Sequence, residues 1–345
     1  MRKATKLMIL TACVGAAVLF AGCGGGAKSG ASSAAASSAA AKGELNLYTS
    51  QPEADAQKLI AEFNKKYPDV KVKVFRSGTE EVVSKVMAEK KMGKVQADVL
   101  LVADAATFET LKKEAILDNY ESPEMKNIPS ELVDKDHTYA GTKVIATGIM
   151  YNTNLVKEAP KSFADLTKPV YKDQGIMPSP LYSGAAAYNL SLMTRTQGLG
   201  WDFYKGLKDN GMKVGKGNGG ILKAVSEGAN GVGIVVDYMV ARAAAKGAPV
   251  KFVYPTEGVP VVTEPIGVVK GSANEKLAKL FEDFVLSEDG QKFTASIGYT
   301  PVRKGVKAPE GMKSVDDMKI MSGNIQELVA GREADKKQFG TIFNN

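Results

Sequence analysis

The sequence is poor in the residues that most enzymes use for thiol, acid–base or metal chemistry. Its 345 residues include two cysteines, one histidine and one tryptophan. Both cysteines, Cys13 and Cys23, lie near the amino terminus, so the remainder offers no thiol for a disulfide, a nucleophile or a zinc–thiolate site. The single histidine, His137, excludes an HExxH metal site and argues against a Ser-His-Asp triad. The ATPase motif GxxxxGKS or GxxxxGKT is absent too, so we expect a protein that is no enzyme and needs no cofactor.

Long runs of charge of one sign are also missing. Lys and Arg number 45 against 38 Asp and Glu, which gives a formal net charge of +7. Three of the positive charges belong to Arg2, Lys3 and Lys6, and elsewhere the two signs are interspersed. Nucleic-acid-binding proteins gather their basic residues on one face or helix, so we expect no nucleic-acid partner.

An uncharged and largely apolar run covers residues 7–22. It is shorter than the roughly 20 residues that a membrane-spanning helix needs. Basic residues before it and small residues after it give the layout of a secretory signal. Its end, LFAGC at residues 19–23, resembles a bacterial lipobox, so we predict a signal peptide at 1–22 and a lipid anchor on Cys23. The alternatives are an uncleaved membrane helix or a secreted protein with an unpaired cysteine.

The stretch that follows Cys23 contains only Gly, Ala, Ser and Lys up to residue 43. Such a stretch cannot bury enough apolar surface to offset the entropy lost on ordering, and Gly- and Ser-rich chains behave as flexible coils. We therefore predict an acylated cysteine and tether at 23–43. The folded part would then lie outside the cytoplasm, anchored to the cell membrane, and in the periplasm if the host has an outer membrane.

Strand and helix patterns alternate after the tether. Alternating or continuous apolar residues predict strands at 44–50, 70–75 and 97–103, and helical spacing predicts helices at 53–68 and 79–93. This order is typical of an α/β layer with mostly parallel strands.

A second α/β set begins after a long apolar segment at 142–155, which we interpret as a crossover strand. Strands are predicted at 174–180 and 232–238, with helices between and after them. Two lobes joined by crossover strands leave a ligand cleft where the lobes meet. The predicted lobe 1 is 44–143 with 266–300, and the predicted lobe 2 is 144–265 with 301–345.

Several stretches, taken together, resemble one transport family. They are LNLYTSQPEADAQKLIAEFNKKYP, ADVLLVADAATFETLKKEAIL, GIMYNTNLV, VVDYMV and SEDGQKFTASIGYTPVRKGV. From Glu44 onward the chain resembles solute-binding proteins of ABC importers, in the subfamily that takes ferric iron, phosphonates or sugar phosphates. The resemblance implies an α/β, two-lobed type II periplasmic-binding-protein fold, in which each lobe is a mostly parallel sheet flanked by helices and crossover hinge strands join the lobes. It also implies a monomeric receptor that hands a small solute to a membrane permease driven by a separate ATPase.

Helix starts that follow strands supply most of the candidate binding residues. A helix start offers unpaired N–H groups and the positive end of the helix dipole, which suit an oxyanion. The same residue types also serve as ordinary N-caps and turns. The candidates are Thr49, Ser50, Ser77, Gly78, Thr79, Ser183 and Gly184, with the glycine-rich stretch 217–220 as a less specific addition.

Two acidic residues and a tyrosine complete the set. Asp237 and Tyr238 follow the apolar run GIVV, and Asp237 either faces the cleft or is exposed at the strand end, in a capping or surface role. Glu264 lies beside the return crossover, where it either accepts hydrogen bonds from ligand hydroxyls or pairs with a lysine on the hinge.

The favoured ligand is a small organic anion that carries a phosphate or phosphonate. Helix starts would hold the oxyanion, and Asp237 would accept hydrogen bonds from a hydroxyl or amine at the other end. The resembling proteins also carry phosphoglycerate, thiamine or ferric ion, and a ferric-ion receptor with Tyr238, Asp237 and Glu80 as ligands is the alternative. Ferric-binding members place two adjacent tyrosines in this region, whereas Met239 follows Tyr238 here.

Overall fold

The structure is a computed structural model that describes residues 41–314 and 317–344, which belong to one compact unit. The predicted signal peptide, Cys23 and most of the predicted tether lie outside these residues. The strands are β1 (Gly43–Thr49), β2 (Val70–Arg76), β3 (Val99–Leu101), β4 (Ala140–Gly141), β5 (Lys143–Asn152), β6 (Gly175–Pro178), β7 (Lys213–Gly215), β8 (Val232–Val236), β9 (Val250–Val253), β10 (Val261–Val262), β11 (Pro265–Val268) and β12 (Thr300–Pro301). The α-helices are α1 (Glu53–Lys66), α2 (Thr79–Lys91), α3 (Ala105–Lys113), α4 (Gly184–Met193), α5 (Gly200–Asp209), α6 (Asn218–Ser226), α7 (Asp237–Ala245), α8 (Glu275–Leu286), α9 (Glu288–Ser296) and α10 (Ile325–Phe343).

The first sheet has the strand order β2-β1-β3-β11-β4. Side chains alternate across β1, as expected for a strand covered on both faces. Leu45 and Leu47 pack with Phe63 of α1 on one face, and Tyr48 packs with Val82 of α2 on the other. The strand and helix patterns of residues 43–91 therefore form one sheet with helices on both sides.

The second sheet has the order β10-β5-β8-β6-β7, and β9 and β12 also pair with β5. All strands that pair with β5 are antiparallel to it, whereas β6 is parallel to β7 and β8. In the first sheet β1, β2 and β3 are parallel and β11 is antiparallel to its neighbours. Both sheets are therefore mixed rather than mostly parallel, because β5 and β11 arrive from the other sheet instead of from a helix on the same sheet.

Very short connections join the two sheets. Thr142 alone separates β4 from β5, and Thr263 and Glu264 separate β10 from β11. The connections lie side by side, since the N–H groups of Thr142 and Lys143 donate to the carbonyl oxygen of Thr263 at 3.0 and 3.2 Å. These are the crossover strands expected from the sequence, while the exact lobe boundaries stay a prediction.

The last helix, α10, packs on the second sheet's helices. Leu328, Phe339 and Phe343 belong to the same buried cluster as Leu190 of α4 and Tyr204 of α5. We call the first sheet with α1–α3, α8 and α9 the first half, and the second sheet with α4–α7 and α10 the second half. Within residues 41–314 and 317–344, no helix combines the length and apolar character needed to cross a membrane.

Candidate functional site

A cavity of about 290 Å³ lies between the two sheets. The first half contributes the ends of β1, β2 and β3, and the second half contributes the starts of α4, α6 and α7. Its lining residues are Ser50, Pro52, Arg76, Gly78, Thr79, Ala103, Ile145, Tyr182, Ser183, Gly184, Ala185, Lys216, Gly217, Asn218, Gly219, Gly220, Val236, Tyr238, Met239, Val262 and Glu264. The cavity is thus built where strand ends meet helix starts, as in other α/β binding sites.

Besides the start of α7, the N-termini of α2, α4 and α6 open onto this cavity. α2 and α6 begin after Gly78 and Gly217, and neither glycine can cap the first turn with a side chain. α4 begins after Ser183, whose Oγ accepts a hydrogen bond from the N–H of Ala186 at 3.3 Å. Uncapped N–H groups and converging helix dipoles favour an anion in the space between them.

Two exposed cations add to this positive potential. Arg76, at the end of β2, donates from Nε to the carbonyl oxygen of Gln51 at 2.8 Å and from Nη1 to the hydroxyl of Tyr182 at 3.3 Å. Lys216 comes from the second half and lies 4.4 Å over the Tyr182 ring, with a carboxylate oxygen of Glu81 at 3.5 Å. One cation from each half therefore faces the cavity, and their surface contacts leave donors for a ligand.

Glu264 is the carboxylate among the described lining residues, and its charge is already balanced. Its Oε2 lies 2.5 Å from Nζ of Lys143 and accepts a hydrogen bond from Nε2 of Gln51 at 3.2 Å. Lys143 is itself buried and lies 4.9 Å over the ring of Tyr299. Because Lys143 compensates it, this carboxylate can accept hydrogen bonds at the cavity floor with less repulsion toward an anionic ligand than an unpaired one would cause.

Most of the residues predicted from the sequence are brought together. Those that line the cavity are Ser50, Gly78, Thr79, Ser183, Gly184, Tyr238 and Glu264, and the glycine-rich stretch 217–220 lines it too. Two hydroxyl residues are excluded from the lining. Thr49 is fully buried and donates to the carbonyl oxygen of Leu101 at 2.7 Å, while Ser77 donates its hydroxyl to Glu81. Both hold the walls instead of facing the space.

Asp237 does not line the cavity, contrary to the role predicted for it. Its Oδ1 accepts the backbone N–H of Tyr238 at 2.8 Å at the start of α7. Among the described residues no cation pairs with this buried side chain, and burial raises its pKa to about 7 even though backbone N–H groups of Tyr238 and Ala146 favour the charged form. The structure buries Asp237 in the first turn of α7, so it is neither in the cleft nor exposed at the strand end.

The residues predicted for the ferric alternative do not converge either. Tyr238 lines the cavity, but Glu80 points to α10, where it accepts hydrogen bonds from Arg332 at 2.7 Å and Lys336 at 2.6 Å. In the part of the chain that the structure describes, no cluster of three or more His, Cys, Asp or Glu side chains could hold a metal ion.

Sequence reasoning missed the two cavity cations, Arg76 and Lys216. Arg76 directly precedes the predicted stretch SGT, and Lys216 directly precedes the predicted stretch GNGG. A basic residue between a strand end and a glycine-containing helix start was therefore the signal that could have identified them. The apolar wall of Ile145, Val236 and Val262 had no signal of its own, because buried strand residues look alike in sequence.

Two glycines let the halves meet at the cavity. A Cβ on Gly78 would lie 2.7 Å from the ring of Tyr182, and a Cβ on Gly184 would lie 2.7 Å from Oγ1 of Thr79. Between them the N–H of Glu80 donates to the carbonyl oxygen of Tyr182 at 3.4 Å. A side chain at either glycine would keep the two halves apart.

Comparison with known proteins places the chain in a family. A family model described as bacterial extracellular solute-binding protein matches residues 95–326. An uncharacterized protein of Haemophilus influenzae is 33% identical over 271 residues, which cover 73% of this chain and 75% of that protein. Iron uptake protein A1 of Synechocystis is 27% identical over 307 residues, which cover 83% of each chain.

Solved structures agree on the fold. The periplasmic binding protein AfuA from Actinobacillus pleuropneumoniae, with fructose-6-phosphate bound, matches with a TM-score of 0.82 at 23% identity, covering 88% of this chain and 99% of AfuA. Iron-bound HitA from Pseudomonas aeruginosa matches with a TM-score of 0.76 at 23% identity, covering 86% and 99%. These structures show the type II periplasmic-binding-protein fold, of the α/β class. The family model matches well over half of the chain, so the chain belongs to the bacterial extracellular solute-binding proteins.

Proposed function

We propose that this protein is the substrate-binding lipoprotein of an ABC importer, and that it captures a small phosphate- or phosphonate-bearing organic anion. It binds the solute in the cavity between the two halves without turnover and delivers it to a membrane permease driven by a separate ATPase. The receptor acts as a monomer held at the outer face of the cell membrane by acylated Cys23.

One observation carries the choice of ligand class. Three helix N-termini and two cations, Arg76 and Lys216, meet at one cavity whose carboxylate, Glu264, is paired with Lys143. Backbone N–H groups and a guanidinium suit a phosphate, because charge-assisted hydrogen bonds are the stronger ones and arginine matches the oxyanion geometry. The volume of about 290 Å³ suits a compact solute at the small end of ligand cavities.

The sequence predicted that Asp237 would accept hydrogen bonds from the ligand, and we assign this role to Glu264 instead. As the carboxylate on the cavity floor, it accepts hydrogen bonds from the hydroxyl or amine groups of the ligand. A phosphate end near α2, α4 and α6 and a hydroxyl end near Glu264 give the ligand one orientation.

A ferric-ion receptor is the second candidate, because a relative that is 27% identical is named an iron uptake protein. Hard Fe³⁺ prefers phenolate and carboxylate oxygens. The lining offers it Tyr182 and Tyr238, together with a carboxylate that is already paired to Lys143. These oxygen donors support an iron site less well than the helix starts and cations support an anion site, because the carboxylate among them is already paired.

Thermal unfolding with a panel of solutes tests the proposal. The panel is fructose 6-phosphate, fructose, inorganic phosphate, a phosphonate, phosphoglycerate, thiamine and ferric citrate. A solute that binds only the folded protein stabilises it by about 2.7 kcal/mol at a hundred times its Kd. We expect shifts with phosphorylated or phosphonate solutes and none with fructose, and a shift with ferric citrate alone would favour the iron candidate.

Glu264→Gln refines the same test. The substitution keeps the size of the side chain and removes its charge, so it should weaken a hydroxylated phosphate ligand about tenfold, since hydrogen bonds to charged groups contribute roughly 1.5–3 kcal/mol. Binding of inorganic phosphate should be unchanged or stronger, because phosphate reaches only the helix starts and Lys143 keeps its positive charge. Equal losses for both ligands by calorimetry would mean that Glu264 supports the walls and does not contact the solute.

A further inference from the structure

The carboxy-terminal helix α10 contacts side chains of both halves. Its apolar face packs in the second half, and Arg195, just after α4, adds an ion pair to Asp335 at 2.6 Å on the same side. On this same buried side, Arg332 and Lys336 contact side chains of the first half. One helix therefore belongs to one half and reaches the other.

Arg332 makes the deepest of these crossing contacts. Its Nη1 and Nη2 donate to the two carboxylate oxygens of Asp104 at 3.2 and 3.0 Å, a two-point contact. Asp104 is fully buried at the start of α3, where its Oδ1 also accepts the N–H of Thr107 at 2.8 Å. Arg332 is 7% exposed, so both charges are removed from water where the halves meet.

Glu80 extends the contact to the edge of the cavity. It begins α2 one residue after the cavity-lining Thr79, and it accepts from Arg332 at 2.7 Å and from Lys336 at 2.6 Å. Although burial opposes ionisation, these two cations hold the pKa of Glu80 below its usual value. The first turn of α2, which faces the ligand space, is thereby tied to α10.

These contacts depend on the halves being together. Both cations lie on the second half and both carboxylates on the first, so any rotation that parts the halves separates them. Removing one partner of a buried ion pair is strongly destabilising, because the other charge stays buried without compensation. The ion pairs can therefore form only when the halves are closed. When the halves are open, water solvates each charged group separately.

We propose that α10 is a latch: Arg332 and Lys336 hold Glu80 and Asp104 across the cleft and set how much of the protein is closed. The four latch residues do not line the cavity. The latch therefore affects the binding of any solute that requires the halves to close, whatever the chemical identity of that solute. The apparent Kd equals the intrinsic Kd divided by the fraction of molecules that are competent to bind. A larger closed fraction therefore lowers the apparent Kd of a solute that binds the closed form.

Pulsed electron–electron double resonance measures the closure directly and needs no ligand. Met92 and Val170 are 79% and 60% exposed and lie on different halves, so Met92→Cys and Val170→Cys place one spin label on each. Cys13 and Cys23 are the cysteines of the full chain and are replaced by serine in this background. The test variant is Arg332→Gln. The matched control is Arg195→Gln, which removes an α10 ion pair that stays within the second half.

In solution without added solute, the parent and Arg195→Gln should share one distance distribution, and Arg332→Gln should add a population at longer distance. We expect the ratio of closed to open molecules to fall about tenfold or more. Identical distributions for Arg332→Gln and the parent would overturn the latch, whether both are closed or both are open. The same change in both arginine variants would also overturn it, because it would show general loosening of α10.

Glu80→Gln keeps the test decisive if Arg332→Gln fails to fold, as judged by circular dichroism. This variant retains the Arg332–Asp104 pair and removes only the outer bridge, so a smaller shift to longer distance is expected. A distribution equal to the parent's would count against the latch. Because no solute is added, failure here leaves the proposed ligand class untouched.

Discussion

Two buried aspartates show how the surroundings of a carboxylate set its charge. No cation in the described part of the chain pairs with Asp237, and burial raises its pKa to about 7. Asp134 is buried too, but Nζ of Lys112 lies 2.6 Å from its Oδ1, and the hydroxyl of Thr138 donates to its Oδ2 at 2.7 Å. Although burial opposes ionisation, these hydrogen bonds hold the pKa of Asp134 below its usual value.

The two positions should respond to pH with opposite signs. The pKa of an unfolded aspartate is about 3.9, so between about pH 4 and 7 folded Asp237 keeps a proton that the unfolded chain has lost. Its contribution to stability therefore falls as pH rises through that window. Asp237→Asn imitates the protonated side chain, so above pH 7 it should be more stable than the parent, by at most about 4 kcal/mol, and the difference should vanish near pH 4.

Urea unfolding at pH 3.5, 6 and 8 measures this difference. Asp134→Asn is the control of opposite sign, because it should lose stability at neutral pH and lose less as pH falls below about 4. An Asp237→Asn curve parallel to that of the parent at all three pH values would mean that Asp237 is ionised at neutral pH.

At the scale of elements, local patterns predicted most strands and helices, while contacts between distant segments decided the site. The predicted strand at 44–50 is found at Gly43–Thr49, and the predicted helix at 79–93 at Thr79–Lys91, because apolar spacing fixes which face each element buries. The antiparallel pairing of β5 was not predictable, since it depends on the direction in which the chain crosses between sheets. The side of α7 that Asp237 faces, and the approach of Lys216 to Tyr182, likewise depend on packing between remote segments.

The start of α4 supplies a prediction about elements in contact. Gly184 has an ordinary helical backbone, but a Cβ there would lie 2.7 Å from Oγ1 of Thr79 on the facing helix. Gly184→Ala should therefore weaken binding of the best phosphorylated solute by tenfold or more, because α4 and α2 could no longer close together. Its melting temperature should stay close to that of the parent, since alanine favours helix over glycine.

Gly219→Ala is the matched control for calorimetry. It also lies in the first turn of a helix that lines the cavity, but a Cβ there meets no atom within 4 Å. Its affinity should stay within about threefold of the parent. Parent-like binding by Gly184→Ala would contradict the close approach of α2 and α4.

At the scale of the whole molecule, the folded part and its attachment are separate problems. The described residues contain no helix that could span a membrane, and the predicted anchor lies outside them at Cys23. The proposed receptor works at the outer surface of the membrane, where its permease would be reached without diffusion from bulk solution. Its location then depends on one side chain.

Cys23→Ala should release the protein from membranes, because one thiol carries the predicted acyl chains. Fractionation after a high-salt wash measures it, and Cys13→Ala is the control that should remain with the membrane. If Cys23→Ala still sediments with membranes, the amino terminus is held by an uncleaved helix instead of by lipid.

Because the connections between the sheets are short, Glu264 lies both at a bending point of the chain and in the cavity lining. This residue is half of the two-residue connection between β10 and β11, has a φ of +37°, and also lines the cavity. At these two connections, rotation of one sheet against the other would change the torsions of Thr142, Thr263 and Glu264, because they are the residues that separate the strands there. A solute that binds this carboxylate, as proposed, would therefore contact the residue at which the chain bends between the sheets.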